Sequence, residues 1–152
     1  MMCGKHALNN VLGGEGHIIF TNEHLKDACD GVVFESLIPD REGGVPADPT
    51  SHEDHMGDNG WYSEQVLAET LRRTFLYELC LQPLHCNPNV IYEDEVVGAV
   101  VNQDNVHWVA LKRVEDHLWL LNSTEPQPET LSWSQYMSLI NEFRNAFPIR
   151  RL

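Results

Sequence analysis

The sequence predicts an α+β fold in which helices come first, an antiparallel sheet follows and a last helix packs against that sheet. Apolar residues in the N-terminal half recur at intervals of three and four, which is the spacing of amphipathic helices. From residue 75 onward they form short apolar runs joined by brief polar links, which is typical of strands connected by tight turns. A chain of 152 residues can bury a full core, so we predict one domain over residues 1–152.

Three helices are predicted in the first half. In the first, Ala7, Leu8 and Val11 share one face, and the two glycines after Leu12 provide a helix stop. The second begins at a residue whose side-chain oxygen suits a helix cap, and the third follows a Gly-Trp-Tyr-Ser step. The predicted helices are residues 4–12, one that starts at Thr21 or Asn22, and one that starts after Gly60 and ends near Arg73. Residues 39–60 are rich in Pro, Gly, Asp and His, so we expect a mobile surface loop there.

The second half is predicted to form the sheet. Its apolar runs give four strands, at residues 75–81, 96–102, 106–114 and 118–122. Turns at residues 103–105 and 115–116 are too short for crossover connections, so these strands should form an antiparallel meander. A last helix is predicted near residues 134–145, followed by an edge strand at residues 149–152.

The composition argues against some classes of function. A formal net charge of −13 repels phosphate backbones, so nucleic acid is not a predicted partner; the acidic surface either steers a basic protein or simply keeps the chain soluble. No apolar run reaches the roughly 20 residues of a membrane helix, and no basic leader with an apolar core precedes Cys3. We therefore expect a monomer that acts away from membranes, in the cytoplasm, the nucleus or both. In these reducing compartments the four cysteines stay free thiols: Cys3, Cys29, Cys80 and Cys86.

Three residue types that together activate a thiol recur along the chain. Cys3 opens the first predicted helix, where unpaired backbone N–H groups and the helix dipole stabilise a thiolate. His107 lies at the start of one predicted strand, and Asn122 ends the next. An imidazole can take the thiol proton, and a side-chain amide can hold the ring in the productive orientation. We therefore predict a cysteine hydrolase in which Cys3 is the nucleophile, His107 the base and Asn122 the orienting residue.

Four short motifs, in this order, resemble the Josephin deubiquitinating cysteine proteases. They are Cys-Gly-x-His-Ala-Leu-Asn-Asn at residues 3–10, Gly-Trp-Tyr-Ser-x-Gln-Val at 60–66, His-Trp at 107–108 and Leu-Asn-Ser at 121–123. The resemblance spans nearly the whole chain and implies a papain-like fold. It also implies hydrolysis of isopeptide or peptide bonds at the C-terminus of ubiquitin by Cys3, His107 and Asn122, without a cofactor or a metal. On the third helix Gln65 matches a family ubiquitin contact whereas Glu64 does not, and we predict Gln65 and Trp108 as the substrate contacts.

One feature of the family lies outside these motifs. Josephin proteases carry a Gln five residues before the nucleophile, where its amide helps to stabilise the oxyanion, and this position falls before Met1. Family members also continue beyond the strand predicted at residues 149–152. Two interpretations follow: the chain is truncated at both ends, or it is a catalytically weak ubiquitin-binding pseudoenzyme. A papain-like peptidase of other specificity is a third alternative, because the triad does not fix the substrate.

Other residues with reactive side chains have simpler interpretations. His6 lies three positions after Cys3 and could compete as the base, although a Cys-x-x-His pair within one helix usually splays apart. Residues 52–55, His-Glu-Asp-His, offer metal-ligand types, but they lack the His-Glu-x-x-His spacing and are predicted to be a solvated charge run. The tryptophans are predicted to line the core or a cleft: Trp61, Trp108, Trp119 and Trp133.

Overall fold

The computed structural model describes residues 3–13, 19–38, 49–57, 61–122 and 127–152, with Cys3 described by its backbone. Its helices are α1 (Cys3–Leu12), α2 (Asn22–Ser36), α3 (His52–His55), α4 (Glu64–Arg72) and α5 (Trp133–Glu142). Its strands are β1 (Tyr77–Leu79), β2 (Val96–Gln103), β3 (His107–Val114), β4 (His117–Leu121), β5 (Glu129–Leu131) and β6 (Ala146–Arg151). Two short 3₁₀ helices, Leu84–Cys86 and Pro88–Tyr92, connect β1 to β2. No helix in these described ranges is long and apolar enough to cross a membrane.

The six strands form one antiparallel sheet in the order β1-β6-β2-β3-β4-β5, so the predicted α+β fold is confirmed. Apolar residues are buried on both faces of this sheet. Val100 of β2 belongs to the core formed with α1, α2 and α4, whereas Ala99 and Val101 belong to the core formed with α5. Burial on both faces explains why β2 is a continuous apolar run instead of an alternating one.

Helix α1 lies close to the sheet because Gly98 has no side chain. A Cβ at this position would overlap the carbonyl oxygen of Leu111 on the neighbouring strand and would lie 3.0 Å from Cγ1 of Val11 on α1. The pairing of β2 with β6 also shifts register between Val96 and Gly98. Gly98 therefore lets β2 bend at this point while both the helix and β3 stay in contact with it.

The turn between β2 and β3 fixes where β3 begins. Asp104 and Asn105 take left-handed backbone conformations, with φ of 57° and 60°, which Asp and Asn tolerate better than most residues. Asn102 is buried. Its side-chain N–H donates to Oδ1 of Asn105, and its own Oδ1 accepts from the Asn105 backbone N–H. This locked turn pairs Gln103 with His107, the first residue of β3.

The structure corrects the predicted end of the chain. The last strand is not an edge strand, because β6 lies between β1 and β2 and pairs with both. Pro148 and the two arginines of β6 are residue types more often found on edge strands, yet both sides of this strand are paired. Two further details differ: α5 ends at Glu142 instead of near residue 145, and the three-residue strand β5 was not predicted.

The strand predicted at residues 75–81 is also shorter, since only Tyr77–Leu79 pairs as β1. Phe75 has a φ of 61° and its surface is 80% exposed, so it belongs to the turn that follows α4. Arg72 ends α4 and Arg73 begins this turn. Both arginines donate to the nearly buried Glu69 carboxylate, and these hydrogen bonds and charges hold the pKa of Glu69 below its usual value.

The predicted loop at residues 39–60 is described only in part. Residues 39–48 and 58–60 lie outside the described ranges. The part that is described contains α3, whose last residue, His55, is only 5% exposed. The prediction of a solvated charge run is therefore wrong for His55, although His52 is exposed and contacts Asp30.

Candidate active site

Cys3 is the first residue of α1, close to the start predicted from the periodicity. The first backbone N–H groups of a helix have no partner within the helix, and they point in the direction that stabilises a thiolate or an oxyanion. Its neighbour Gly4 is buried. The sequence therefore places a thiol-bearing residue at a helix terminus that is anchored against the rest of the fold.

His107 and Asn122 meet at one end of the β3–β4 pair. The antiparallel register, in which Ala110 faces Leu121, brings the start of β3 and the residue after β4 to the same end of the hairpin. There the Nε2 atom of His107 lies 2.8 Å from Oδ1 of Asn122, and both side chains are half-buried. Two of the three predicted catalytic residues are thus in direct hydrogen-bond contact.

This contact fixes the proton on the His107 ring. An amide oxygen only accepts hydrogen bonds, so in the arrangement assigned from the network Nε2 carries the proton and donates to Asn122. Whenever the ring is neutral, Nδ1 is then the nitrogen without a proton. The pair therefore presents a base on the side of the ring that faces away from Asn122, which is the state needed to accept a thiol proton.

The first turn of α1 packs against the start of β3. A Cβ built on Gly4 would lie 3.2 Å from Cδ2 of Leu67, 3.5 Å from Cδ2 of Tyr62 and 3.6 Å from Cδ1 of Trp108. Gly4 follows Cys3 and Trp108 follows His107, so the residues next to the predicted nucleophile and base are separated by little more than the space of one methyl group. A methyl group at residue 4 would make ordinary contacts with Tyr62 and Trp108, and only the Leu67 side chain on α4 would have to yield slightly.

Trp108 holds this arrangement from inside the core. Its side chain is 1% exposed, and its indole N–H donates to the backbone carbonyl of Tyr62 at 2.6 Å. Trp108 therefore has a packing role, and of the two predicted substrate contacts only Gln65, in the first turn of α4, is exposed. The role of Tyr62 was not predicted, although its place in the Gly-Trp-Tyr-Ser motif was the available signal.

The other tryptophans differ in their surroundings. Trp61 packs against the α1 side of the core and Trp119 is half-buried in β4, as predicted. Trp133 is 45% exposed at the start of α5, where it lies beside the rings of Tyr92 and Tyr136. Trp133 therefore lies at the surface and not in the core.

The competing nucleophiles and the competing base are in less favourable settings. Burial raises the pKa of the Cys29 thiol, and burial likewise raises the pKa of Cys80. Cys86 is exposed, with its Sγ atom 3.7 Å from Nε2 of His85, which makes it the accessible competitor. The side chain of His6 on α1 is exposed at its surface, but neighbouring protein atoms remove part of its hydration. This loss of hydration, and then the nearby charge of Lys5, lowers the pKa of His6.

Metal ligands do not cluster anywhere in the described part of the chain. No group of three or more His, Cys, Asp or Glu side chains there has a geometry that could hold an ion. Both ring nitrogens of His55, the most suggestive candidate in the sequence, lie within hydrogen-bond distance of hydroxyl groups, on Ser63 and on Thr50. Of the groups predicted to perform acyl transfer, the described residues show the His107 imidazole and the Asn122 amide in contact.

Comparison with known protein families identifies a family for this chain. The family model described as Josephin matches residues 1–146, which is nearly the whole chain. The chain belongs to the Josephin family. The family resemblance seen in the sequence motifs is therefore confirmed, and with it the fold class.

Two known proteins are similar to this chain over most of its length. The chain is 26% identical to the human ataxin-3-like protein over 141 residues, which cover 86% of this chain and 37% of that protein. It is 25% identical to the ataxin-3 homolog of Caenorhabditis briggsae over 145 residues, covering 93% of this chain and 42% of the homolog. The match thus extends over about two fifths of the length of these relatives. The catalytic roles of Cys3, His107 and Asn122 stay predictions.

Proposed function

We propose that this chain is a cysteine-dependent deubiquitinase that hydrolyses isopeptide or peptide bonds at the C-terminus of ubiquitin. Cys3 acts as nucleophile, His107 as general base and then general acid, and Asn122 as the residue that orients the imidazole. The observation that carries the proposal is the hydrogen bond between His107 and Asn122 at the end of β3, beside the first turn of α1. Membership of the Josephin family supports ubiquitin as the substrate.

The reaction proceeds in two halves. Nδ1 of His107 takes the proton of the Cys3 thiol, and the sulfur attacks the carbonyl carbon of the scissile amide. The oxyanion that forms lies near the N-terminus of α1, where unpaired backbone N–H groups can donate to it. His107 then gives its proton to the leaving amine, the C–N bond breaks and a thioester with Cys3 remains.

Water completes the cycle. His107 removes a proton from a water molecule, whose oxygen attacks the thioester carbonyl, and the sulfur leaves as the thiolate. The imidazolium that exists between these steps keeps its Nε2–H bond to Asn122. Since hydrogen bonds to charged groups are stronger than neutral ones, Asn122 stabilises this charged state as well as the ring orientation.

Turnover of matched substrates tests the proposal. One substrate is full-length ubiquitin with a fluorogenic amide at its C-terminus, and the other is a short peptide with the same final residues and the same amide. We expect hydrolysis of the ubiquitin amide at least about tenfold faster in kcat/KM, because a folded substrate adds contacts such as Gln65, and 1.4 kcal/mol of binding is tenfold. Equal rates on both substrates would indicate a peptidase of other specificity. Ubiquitin binding without hydrolysis would indicate a pseudoenzyme.

A further inference from the structure

His55 is a buried titratable side chain that the proposed reaction does not use. It ends α3, and its ring contacts hydroxyl groups on both sides: Nδ1 lies 2.8 Å from Oγ of Ser63, and Nε2 lies 2.8 Å from Oγ1 of Thr50. Its backbone carbonyl accepts from the Ser63 N–H, also at 2.8 Å. The side chain and the backbone of His55 thus both hold Ser63, the residue that caps α4.

The hydrogen bonds around His55 continue in both directions. On one side, Oγ of Ser63 accepts from the backbone N–H of Val66 in the first turn of α4, at 3.3 Å. On the other side, the Thr50 hydroxyl donates to Oγ of Ser36, at 3.0 Å, and the Ser36 hydroxyl donates to the carbonyl of Val33 in α2, at 2.7 Å. One chain of hydrogen bonds therefore runs from α2, through the His55 ring, to the start of α4.

One placement of protons satisfies every side chain in this series of hydrogen bonds. The Thr50 proton is committed to Ser36, so Oγ1 of Thr50 accepts from Nε2–H of His55. Nδ1 is then an acceptor, and the Ser63 hydroxyl donates to it while accepting from Val66. In the reverse tautomer, Ser63 would accept twice, and its own proton would find no acceptor among the hydrogen bonds of the described residues. A fully satisfied buried network of this kind selects a single geometry.

The series of hydrogen bonds ends at α4, beside the candidate active site. Ser63 follows Tyr62, whose carbonyl accepts from the indole of Trp108, and both aromatic side chains lie within 3.6 Å of the position that a Cβ on Gly4 would occupy. Trp108 follows His107, and Gln65 lies in the helical turn that Ser63 caps. Any shift of Ser63 is therefore passed to the surroundings of His107 and to Gln65.

From these contacts we infer that His55, as the neutral Nε2–H tautomer, is a positioning residue for the active site. It acts through Ser63, by holding the start of α4 where Tyr62 supports Trp108. The Thr50 side of the ring anchors the network to α2, whereas the contacts with Tyr62 and Trp108 lie on the Ser63 side. The effect on turnover rests on the proposed function, whereas the effect on Trp108 does not.

Two amide substitutions separate the two sides of the ring. In His55→Asn the side-chain oxygen can occupy the position of Nδ1 and accept from Ser63, but it cannot reach Thr50. In His55→Gln the longer side chain places its amide N–H near the position of Nε2, where it donates to Thr50, and the link to Ser63 is lost. His55→Ala removes both links, and Thr50→Val is the matched control that breaks only the α2 side.

The primary readout is the solvent exchange of the Trp108 indole N–H, followed by NMR with the other indole signals assigned through Trp61→Phe, Trp119→Phe and Trp133→Phe. We expect exchange to quicken about tenfold in His55→Ala and His55→Gln, on the order of the loss of one buried hydrogen-bond partner, and to stay near the native rate in His55→Asn and Thr50→Val. The imidazole ¹⁵N shifts of the native protein should report the Nε2–H tautomer for His55.

Turnover of the ubiquitin amide should follow the same pattern, with kcat/KM about tenfold lower for His55→Gln and within about twofold of native for His55→Asn. Equal effects of the Asn and Gln variants on Trp108, or unchanged Trp108 exchange in both, would overturn the inference and leave His55 a residue that only stabilises the fold. If the native chain does not hydrolyse ubiquitin amides, the proposed function fails, and the exchange of Trp108 still decides the role of His55.

Discussion

Replacement of His107 by Ala should reduce hydrolysis of a ubiquitin amide by about 10⁴-fold or more, the size of effect expected when the base of a nucleophile–base unit is removed. Without the imidazole, no group accepts the thiol proton or returns it to the leaving amine. Asn122→Ala should be milder, with a loss of about 10- to 100-fold, because it removes one hydrogen bond to a charged ring. Steady-state kcat/KM for the three proteins measures both effects.

His6→Ala is the control for this comparison, since His6 is the other histidine near Cys3 in sequence and its side chain is exposed. Its kcat/KM should stay within about twofold of the native value, a difference well below 1 kcal/mol. A large loss in His6→Ala together with an active His107→Ala protein would assign the base to α1 and contradict the proposed roles.

The substitution with the largest expected effect on folding is Gly98→Ala. The added methyl group would overlap the backbone oxygen of Leu111 and crowd Val11, so β2 would have to move away from β3 or from α1. Backbone cannot yield as a side-chain tip can, and we expect the free energy of unfolding to fall by about 3 kcal/mol or more. Urea denaturation followed by tryptophan fluorescence measures the change.

Gly31→Ala provides a matched control in a helix. There the new methyl group would meet the guanidinium of Arg73, the far end of a flexible side chain that can move aside. Alanine is also favoured over glycine inside a helix by up to about 1 kcal/mol. The free energy of unfolding should therefore change by about 1 kcal/mol or less in either direction. Equal destabilisation by the two substitutions would show that the position of Gly98 against Leu111 is not what restricts it.

The candidate site could be predicted from the sequence because its parts are local. Tight turns determine how β3 pairs with its neighbours, so a separation of 15 positions brings His107 and Asn122 to one end of a hairpin. Residue spacing also placed the start of α1 within one residue of Cys3. In each case the structure depends on neighbours in the chain, and short-range patterns predict such neighbours well.

Features that depend on distant segments were not predicted. Strand β6 is an inner strand because β1, about 70 residues earlier in the chain, pairs with its outer side. No local sequence pattern indicates such a pairing. His55 lies in a charged, turn-rich stretch, and it is buried only because Thr50 and Ser63 converge on its ring. The packing role of Trp108 similarly required the carbonyl of Tyr62, 46 residues away.

The most direct test of the central claim is to react the native chain with ubiquitin that carries a thiol-reactive warhead at its C-terminus, and to locate the adduct by peptide mass spectrometry. A small alkylating reagent serves as the control, because it should modify the exposed Cys86 regardless of any ubiquitin contact. We expect the ubiquitin warhead to attach to the sulfur of Cys3 and to leave Cys29, Cys80 and Cys86 unmodified. An adduct on any of those three cysteines, or no adduct at all, would contradict the central claim.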